Sequence, residues 1–266
     1  DGEDGLGHQL YGLISLLILN RCGKDNKIYI FDHNTYMNKK FSFDHLDRKQ
    51  EKEAIEYIKK SISRFGKVEK IKYKRTIHSH ELNKIPKKHD QETLYTLDNA
   101  YYFRRVGLDM KNITKRNMNL RLLKDAFINE NLPPKRFDKS IVVHVRLGDS
   151  ADRKENSLSR GKLVVLLRKL SRDLPKHDIH IHSDGKPSFL RGKYTFHEKE
   201  THILTVISDM IHADVLVCGV SALSYFCAFL NRGKLILVPD NIKHSLPDNS
   251  FTFEDYLNKD SPVKLG

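Results

Sequence analysis

The chain has 266 residues, 39% of them hydrophobic and 30% charged, with a formal net charge of +13. Such a length and balance suit a globular protein of one large domain or two small ones, each able to bury a real core. Its three cysteines, Cys22, Cys218 and Cys227, lie in apolar segments with no CxxC or Cys/His spacing. They exclude a disulfide framework, suggest no metal site and point to a reducing compartment.

From the start, Gly5-Leu6-Gly7-His8-Gln9 reads as a Gly-rich turn running into an apolar helix over Leu10–Leu19. That run is too short to cross a membrane. No signal peptide is apparent. The expectation is a cytoplasmic chain as given, with an upstream anchor or signal left open. Lys27–Phe31 predicts a strand. Gln50–Arg64 predicts an amphipathic helix with Ala54, Ile55, Ile58 and Ile62 on one side, stopped by Gly66. Val68–Tyr73 predicts a strand. Thr76–Gln91, rich in His and Lys and holding Pro86, predicts a loop. Leu94–Phe103 is ambiguous. Ile113–Asn129 predicts a helix with Leu120, Leu123, Phe127 and Ile128 on its apolar side. Much of the positive charge falls between Lys39 and Lys88, mixed with Glu, Asp and His, and reads as a solvated helical face. No RNP-like, zinc-finger or helix-turn-helix pattern accompanies it, so nucleic acid is not an expected partner.

Pro133-Pro134 marks a break, and the predicted domains are 1–133 and 134–266. Beyond it strands alternate with helices: strand Ser140–Val145, polar loop Gly148–Ser159, helix Leu163–Leu174, strand Asp178–His182, strand Tyr194–Phe196, helix Ile203–Ile211, strand Val215–Cys218, helix Ser221–Leu230 and strand Leu235–Val238. Such alternation implies βαβ units, hence a parallel sheet and an α/β fold. Asn241–Gly266 gives weak signals and is a tail free to pack back on the N-terminal half.

Four constellations bear on chemistry. In Gly5-Leu6-Gly7-His8-Gln9 the glycines and a helix start suit either a plain turn or an anion cradle. The buried run Ile141–Val145 ends in Arg146-Leu147-Gly148-Asp149. Alternation puts His144 and Arg146 on one side, and open α/β sheets bind ligands at that carboxyl edge. An arginine there is a fixed cation suited to phosphate. Ser183-Asp184-Gly185 ends the next strand; Asp184 is either a helix cap or an acceptor for a base or ribose. Finally, the strand Val215–Cys218 feeds Gly219-Val220-Ser221-Ala222-Leu223-Ser224. Ser221 suits an N-cap, and the N–H groups of Ala222, Leu223 and Ser224 offer a second phosphate cradle at the positive end of a helix dipole.

Taken in order, these segments resemble the fucosyltransferase superfamily that groups α-1,2-, α-1,6- and protein O-fucosyltransferases. Gly5-Leu6-Gly7-His8-Gln9-Leu10 is similar to its Gly-x-Gly-x-Gln-Leu opening. His144-Val145-Arg146-Leu147-Gly148-Asp149 is similar to its His-x-Arg-x-Gly/Thr-Asp signature, and Ala213–Cys218 with Ser221 to its Ala-Asp-x-Leu-Val-Cys-x-x-Ser element. Residues 39–139 match none of its motifs. The resemblance implies a GT-B-like fold, two Rossmann-like domains facing a cleft. The N-terminal domain would be the acceptor side and the C-terminal one would hold the nucleotide sugar. It implies an inverting, metal-independent transfer from a GDP-sugar, GDP-fucose first, to a hydroxyl of a glycan or glycoprotein, with no cofactor. Carried over residue by residue, His144 and Asp184 would bind the base, Arg146 the β-phosphate and Ser221 a phosphate, with Ser183, Gly219, Ala222 and Ser224 beside them.

The chain departs from the family at two points. The second arginine of many relatives is Leu147 here, and the catalytic Glu of the α-1,6 branch falls on Lys154, with Glu155 next to it. Asp149, Asp152 and Glu155 are therefore the candidate bases, Asp149 slightly favoured. Other donors, such as UDP-xylose, and a non-catalytic module that binds glycan or polyanion are the alternatives.

Overall fold

The structure, a computed structural model, describes residues 7, 10, 28–29, 47–65, 68–69, 75–78, 93–96, 119–146, 160–185, 188–197, 201–240 and 249–259. The chain divides into two compact units, 1–129 and 130–266. The division falls four residues before the predicted one, so Pro133 and Pro134 both belong to the second unit. The reason is local: the Pro133 carbonyl accepts from Ser208 Oγ, and Arg136 is fastened to Asp209, both on one helix of that unit.

In the first unit every described strand pairing is parallel. Strand β1 (Ile28–Tyr29) pairs with β2 (Val68–Glu69), and β3 (Arg75–His78) with β4 (Thr93–Thr96). The predicted loop over Thr76–Gln91 therefore begins as a strand. Arg75-Thr-Ile-His is neither an apolar run nor a clear alternation, so nothing in its composition announced the strand. Helix α1 (Arg48–Ser63) starts at Asp47, whose carboxylate accepts from Lys49 N and Gln50 N, both at 2.8 Å. Its buried stripe is Ala54, Tyr57, Ser61 and Ile62; Ile55 and Ile58, expected on that face, lie at its margin. The stripe shifts because Tyr57 is bound inward, its hydroxyl donating to Phe127 O at 2.8 Å. Phe127 closes helix α2 (Asn119–Phe127), and Asn129 just beyond it donates to Ser61 Oγ.

The second unit is a six-stranded, all-parallel sheet. Its strands are β5 (Ser140–Val145), β6 (Asp178–Ser183), β7 (Tyr194–His197), β8 (Val215–Cys218), β9 (Leu235–Val238) and β10 (Ser250–Thr252). Across the sheet they run β10-β9-β8-β5-β6-β7. Numbered within the unit and read from β7, that is 3-2-1-4-5-6, the order of a doubly wound sheet. The order reverses between β5 and β8, the position beyond whose carboxyl ends open α/β sheets place their ligands. The expected α/β class is what this unit has.

Helices cover both faces. On one side, α3 (Arg160–Asp173) lays Leu163, Leu166, Leu167 and Leu170 on Ile141, Val143, Ile179, Ile181, Val215 and Val217. The spacing i, i+3, i+4, i+7 is one helical face, and each buried leucine contributes roughly 1.5–3 kcal/mol. On the other side, α4 (Ile203–His212) and α5 (Ala222–Leu230) are buried nearly all round, as are β8 and β9. Buried parallel strands need continuous apolar runs, and Val-Leu-Val-Cys and Leu-Ile-Leu-Val supply them.

The tail does not leave this unit over residues 249–259. Strand β10 adds to the edge at β9, and α6 (Phe253–Leu257) seats Phe253 and Tyr256 in the same core as α3. Thr252 and Asp255 form a reciprocal capping box that starts α6. Among the described residues no helix is long and apolar enough to cross a membrane.

Candidate functional site

At the point where the strand order reverses, β5 delivers His144 and Arg146, β6 delivers Ser183 and Asp184, and β8 leads through Gly219 and Ser221 into α5. Arg146 Nε lies 3.6 Å from Asp184 Oδ2, and each side chain keeps about a third of its surface in solvent, 31% and 30%. No helix follows Asp184 among the described residues, so the alternative of a helix cap falls away; its carboxylate faces the arginine. Ser183 instead makes the turn, its hydroxyl accepting from Gly185 N at 3.2 Å.

The loop after β8 presses onto the end of β5. Gly219 N donates to His144 O at 2.7 Å, and a Cβ on Gly219 would lie 2.6 Å from that same oxygen. Only glycine lets the two backbones meet so closely. Ser221 then occupies the N-cap of α5 with extended backbone, but its side chain makes no capping hydrogen bond. The first helical bond runs from Tyr225 N to Ser221 O. The N–H groups of Ala222, Leu223 and Ser224 thus have no acceptor within the helix and lie at the positive end of its dipole.

His144 Nδ1 and Ser224 Oγ are 2.7 Å apart. Burial pushes the imidazole down to about 4, with His182 and Arg146 adding to the shift and Asp184 opposing it. At neutral pH the ring is uncharged, with one nitrogen donating and the other accepting. The site thus sets one neutral imidazole and one fixed cation at the end of β5 beside the helix terminus that follows β8. Chemically, this suits an anion joined to a group that needs both a donor and an acceptor.

Of the residues expected from sequence, His144, Arg146, Ser183, Asp184, Gly219, Ser221, Ala222 and Ser224 come together on these strand ends. Gly7 is helical, not part of a turn, and Leu10 is buried. Gly5, His8, Gln9, Asp149, Asp152 and Glu155 lie outside the described residues. No group of three or more His, Cys, Asp or Glu among the described residues is placed to hold a metal ion.

A second polar cluster in this unit has no counterpart in the motifs. Asp209 of α4, its side chain wholly buried, receives the Arg136 guanidinium on both carboxylate oxygens and His182 Nε2 at 2.9 Å. Burial alone would raise the Asp209 carboxyl; the bonds from Arg136 and His182 outweigh it and hold the group below its ordinary value. His197 stacks on His182 with centroids 4.4 Å apart, and Phe137 stacks on His180 at 3.6 Å. His180 Nδ1 meets His197 Nε2 at 3.2 Å. Burial, His182 and His180 push His197 down to about 4. Two signals were present in the sequence: His180-x-His182 puts two imidazoles on one face of a strand, and Asp209 is a charge inside an apolar helix.

No family model matches the chain, and neither a curated protein nor a solved structure matches it. The fold defines an α/β protein whose parallel sheet reverses its strand order between β5 and β8.

Proposed function

We propose that the protein is a nucleotide-sugar glycosyltransferase of GT-B-like architecture that moves a sugar, L-fucose from GDP-fucose first, to a glycan hydroxyl. The observation that supports this reading is the pairing, at the reversal of strand order, of Arg146 with the N-terminus of α5, whose N-cap Ser221 makes no capping bond. A diphosphate needs this combination: a cation with two-pronged geometry and a row of backbone donors.

In this reaction the acceptor oxygen attacks the anomeric carbon as the bond from that carbon to the diphosphate oxygen breaks. The configuration inverts and negative charge grows on the departing phosphate. Arg146, Ser221 and the first N–H groups of α5 stabilise it; each charge-assisted bond contributes roughly 1.5–3 kcal/mol. The neutral His144 and Asp184 hold the base or ribose. The acceptor proton passes to a carboxylate, for which Asp149, Asp152 and Glu155 in the segment after Arg146 are the candidates.

A thermal-shift series with GDP and UDP tests the reading first. GDP at one hundred times its Kd should stabilise the protein by about 2.7 kcal/mol, and Arg146→Ala should abolish the shift. A panel of nucleotide sugars read by hydrolysis and transfer then separates GDP-fucose from donors such as UDP-xylose. No shift with either nucleotide overturns the proposal and leaves the glycan- or polyanion-binding module.

A further inference from the structure

We infer that Arg136, Asp209 and His182 form a positioning chain for the switch-point site, acting on it through His144. The inference rests on the reading above only in what it predicts for nucleotide; the state of His144 is measurable without it.

The chain is fixed link by link. An ionised carboxylate only accepts hydrogen bonds, so the proton on His182 that meets Asp209 must sit on Nε2. Arg136 donates to the same carboxylate through Nε at 2.9 Å and through a second nitrogen. This fork fixes the plane of the carboxylate and, with it, the edge of the His182 ring. The stacked His197 fixes the face of that ring. His182 in turn is the register partner of His144 across the parallel pair β5–β6. On the other flank, His144 holds Ser224 Oγ, from the first turn of α5. His144 therefore stands between an imidazole locked by Asp209 and a hydroxyl at the helix terminus that the switch-point site uses. The groups that act on it are all in place: His182 and Asp184 from β6 and its end, and Arg146 beyond its own strand.

A clamp that merely tied residues 133–137 to α4 would need only Arg136 and Asp209. The third member adds nothing to that tie. It places an oriented imidazole beside His144, the histidine that borders the site among the described residues, as second partners orient ligating histidines elsewhere.

The decisive variant is His182→Gln, whose amide N–H replaces Nε2–H against Asp209 and so keeps the clamp while removing the ring beside His144. NMR titration of His144, assigned with His144→Gln, gives the first readout. Calorimetry with GDP at pH 7 and pH 5.5 gives the second. The His144 titration should move up from about 4 toward the ordinary histidine range, and GDP should bind about tenfold more weakly, with a pH dependence the parent lacks. Arg136→Lys, which loosens the fork and leaves every histidine in place, should shift the same His144 signals by less; it decides the matter if His182→Gln does not fold. His144 signals unmoved in the folded variants would overturn the inference and reduce the chain to a clamp. If the parent protein binds no GDP, the transferase reading falls while the His144 titration still decides this one.

Discussion

The switch-point site and the Asp209 cluster draw on the same residue types and treat them differently. Arg146 and Asp184 approach only to 3.6 Å and stay about a third in solvent. Arg136 and Asp209 form a fork on a carboxylate with no exposure at all, which a histidine completes. Partly solvated charges can exchange one partner for another at little cost, because water screens both states. A desolvated carboxylate cannot, because losing a partner leaves a bare charge in a medium that does not solvate it. The first arrangement suits a group that must take up an incoming anion, the second a group that must not move.

Removing one charged side chain from each cluster tests that contrast most sharply. Asp209→Ala should lower the unfolding free energy by about 1–3 kcal/mol, because it leaves the buried Nε2–H of His182 without its acceptor, while Arg136, 36% exposed, turns to water. Arg146→Ala should change it by less than about 1 kcal/mol while eliminating the GDP-induced stabilisation. Urea unfolding of both variants, with and without GDP, measures this. Equal losses would mean that Arg146 is structural too, and the distinction between the two clusters would fail.

Acid reads both clusters at once. His144 and His197 sit near 4 in the folded chain against 6.5 as ordinary imidazoles. Between those values the unfolded chain binds protons that the fold refuses. The stability these groups contribute is therefore fully present above about pH 6.5 and is lost as the pH falls toward 4. Asp209, held low in the fold, adds a loss in the same direction at still lower pH. For His144 the change between pH 7 and pH 5 is about 2 kcal/mol; His197, less enclosed, contributes less. His144→Gln and His197→Asn should each flatten the pH dependence of Tm over that range. If only His197→Asn does so, His144 is not held neutral by its surroundings.

What could be read from sequence follows from how each element is stabilised. Strand β5 was visible because a strand buried on both faces must be a run such as Ile141-Val142-Val143, and its abrupt end in Arg146 marks the ligand edge. Helix α3 was visible because its leucines keep the helical period. Strands β3 and β10 were not, since Arg75-Thr-Ile-His and Ser250-Phe-Thr are neither apolar runs like β8 and β9 nor long enough to show alternation. The start of α6 was legible after all in Thr252-Phe-Glu-Asp255, a capping-box spacing next to an apolar residue. The Asp209 cluster lay beyond reach for a different reason. Its members come from residues 136–137, β6, β7 and α4, and only the sheet order brings them together. Local pattern names the residues that end strands; it cannot name the partners that meet across them.

The smallest effect discriminates most finely within the site. A serine that caps its helix costs about 1 kcal/mol when changed to alanine, since an orphan N–H loses its acceptor. Ser221 sits at the cap of α5 and makes no such bond, so Ser221→Ala should shift stability by no more than a few tenths of a kcal/mol. Its effect should appear instead in nucleotide affinity, where a lost hydrogen bond to a charged phosphate weakens binding roughly tenfold or more. Thermal unfolding and GDP calorimetry on the same preparation separate the two. A full loss of cap stability with unchanged GDP binding would return Ser221 to the helix and leave Arg146 and the α5 N–H groups to hold the diphosphate without it.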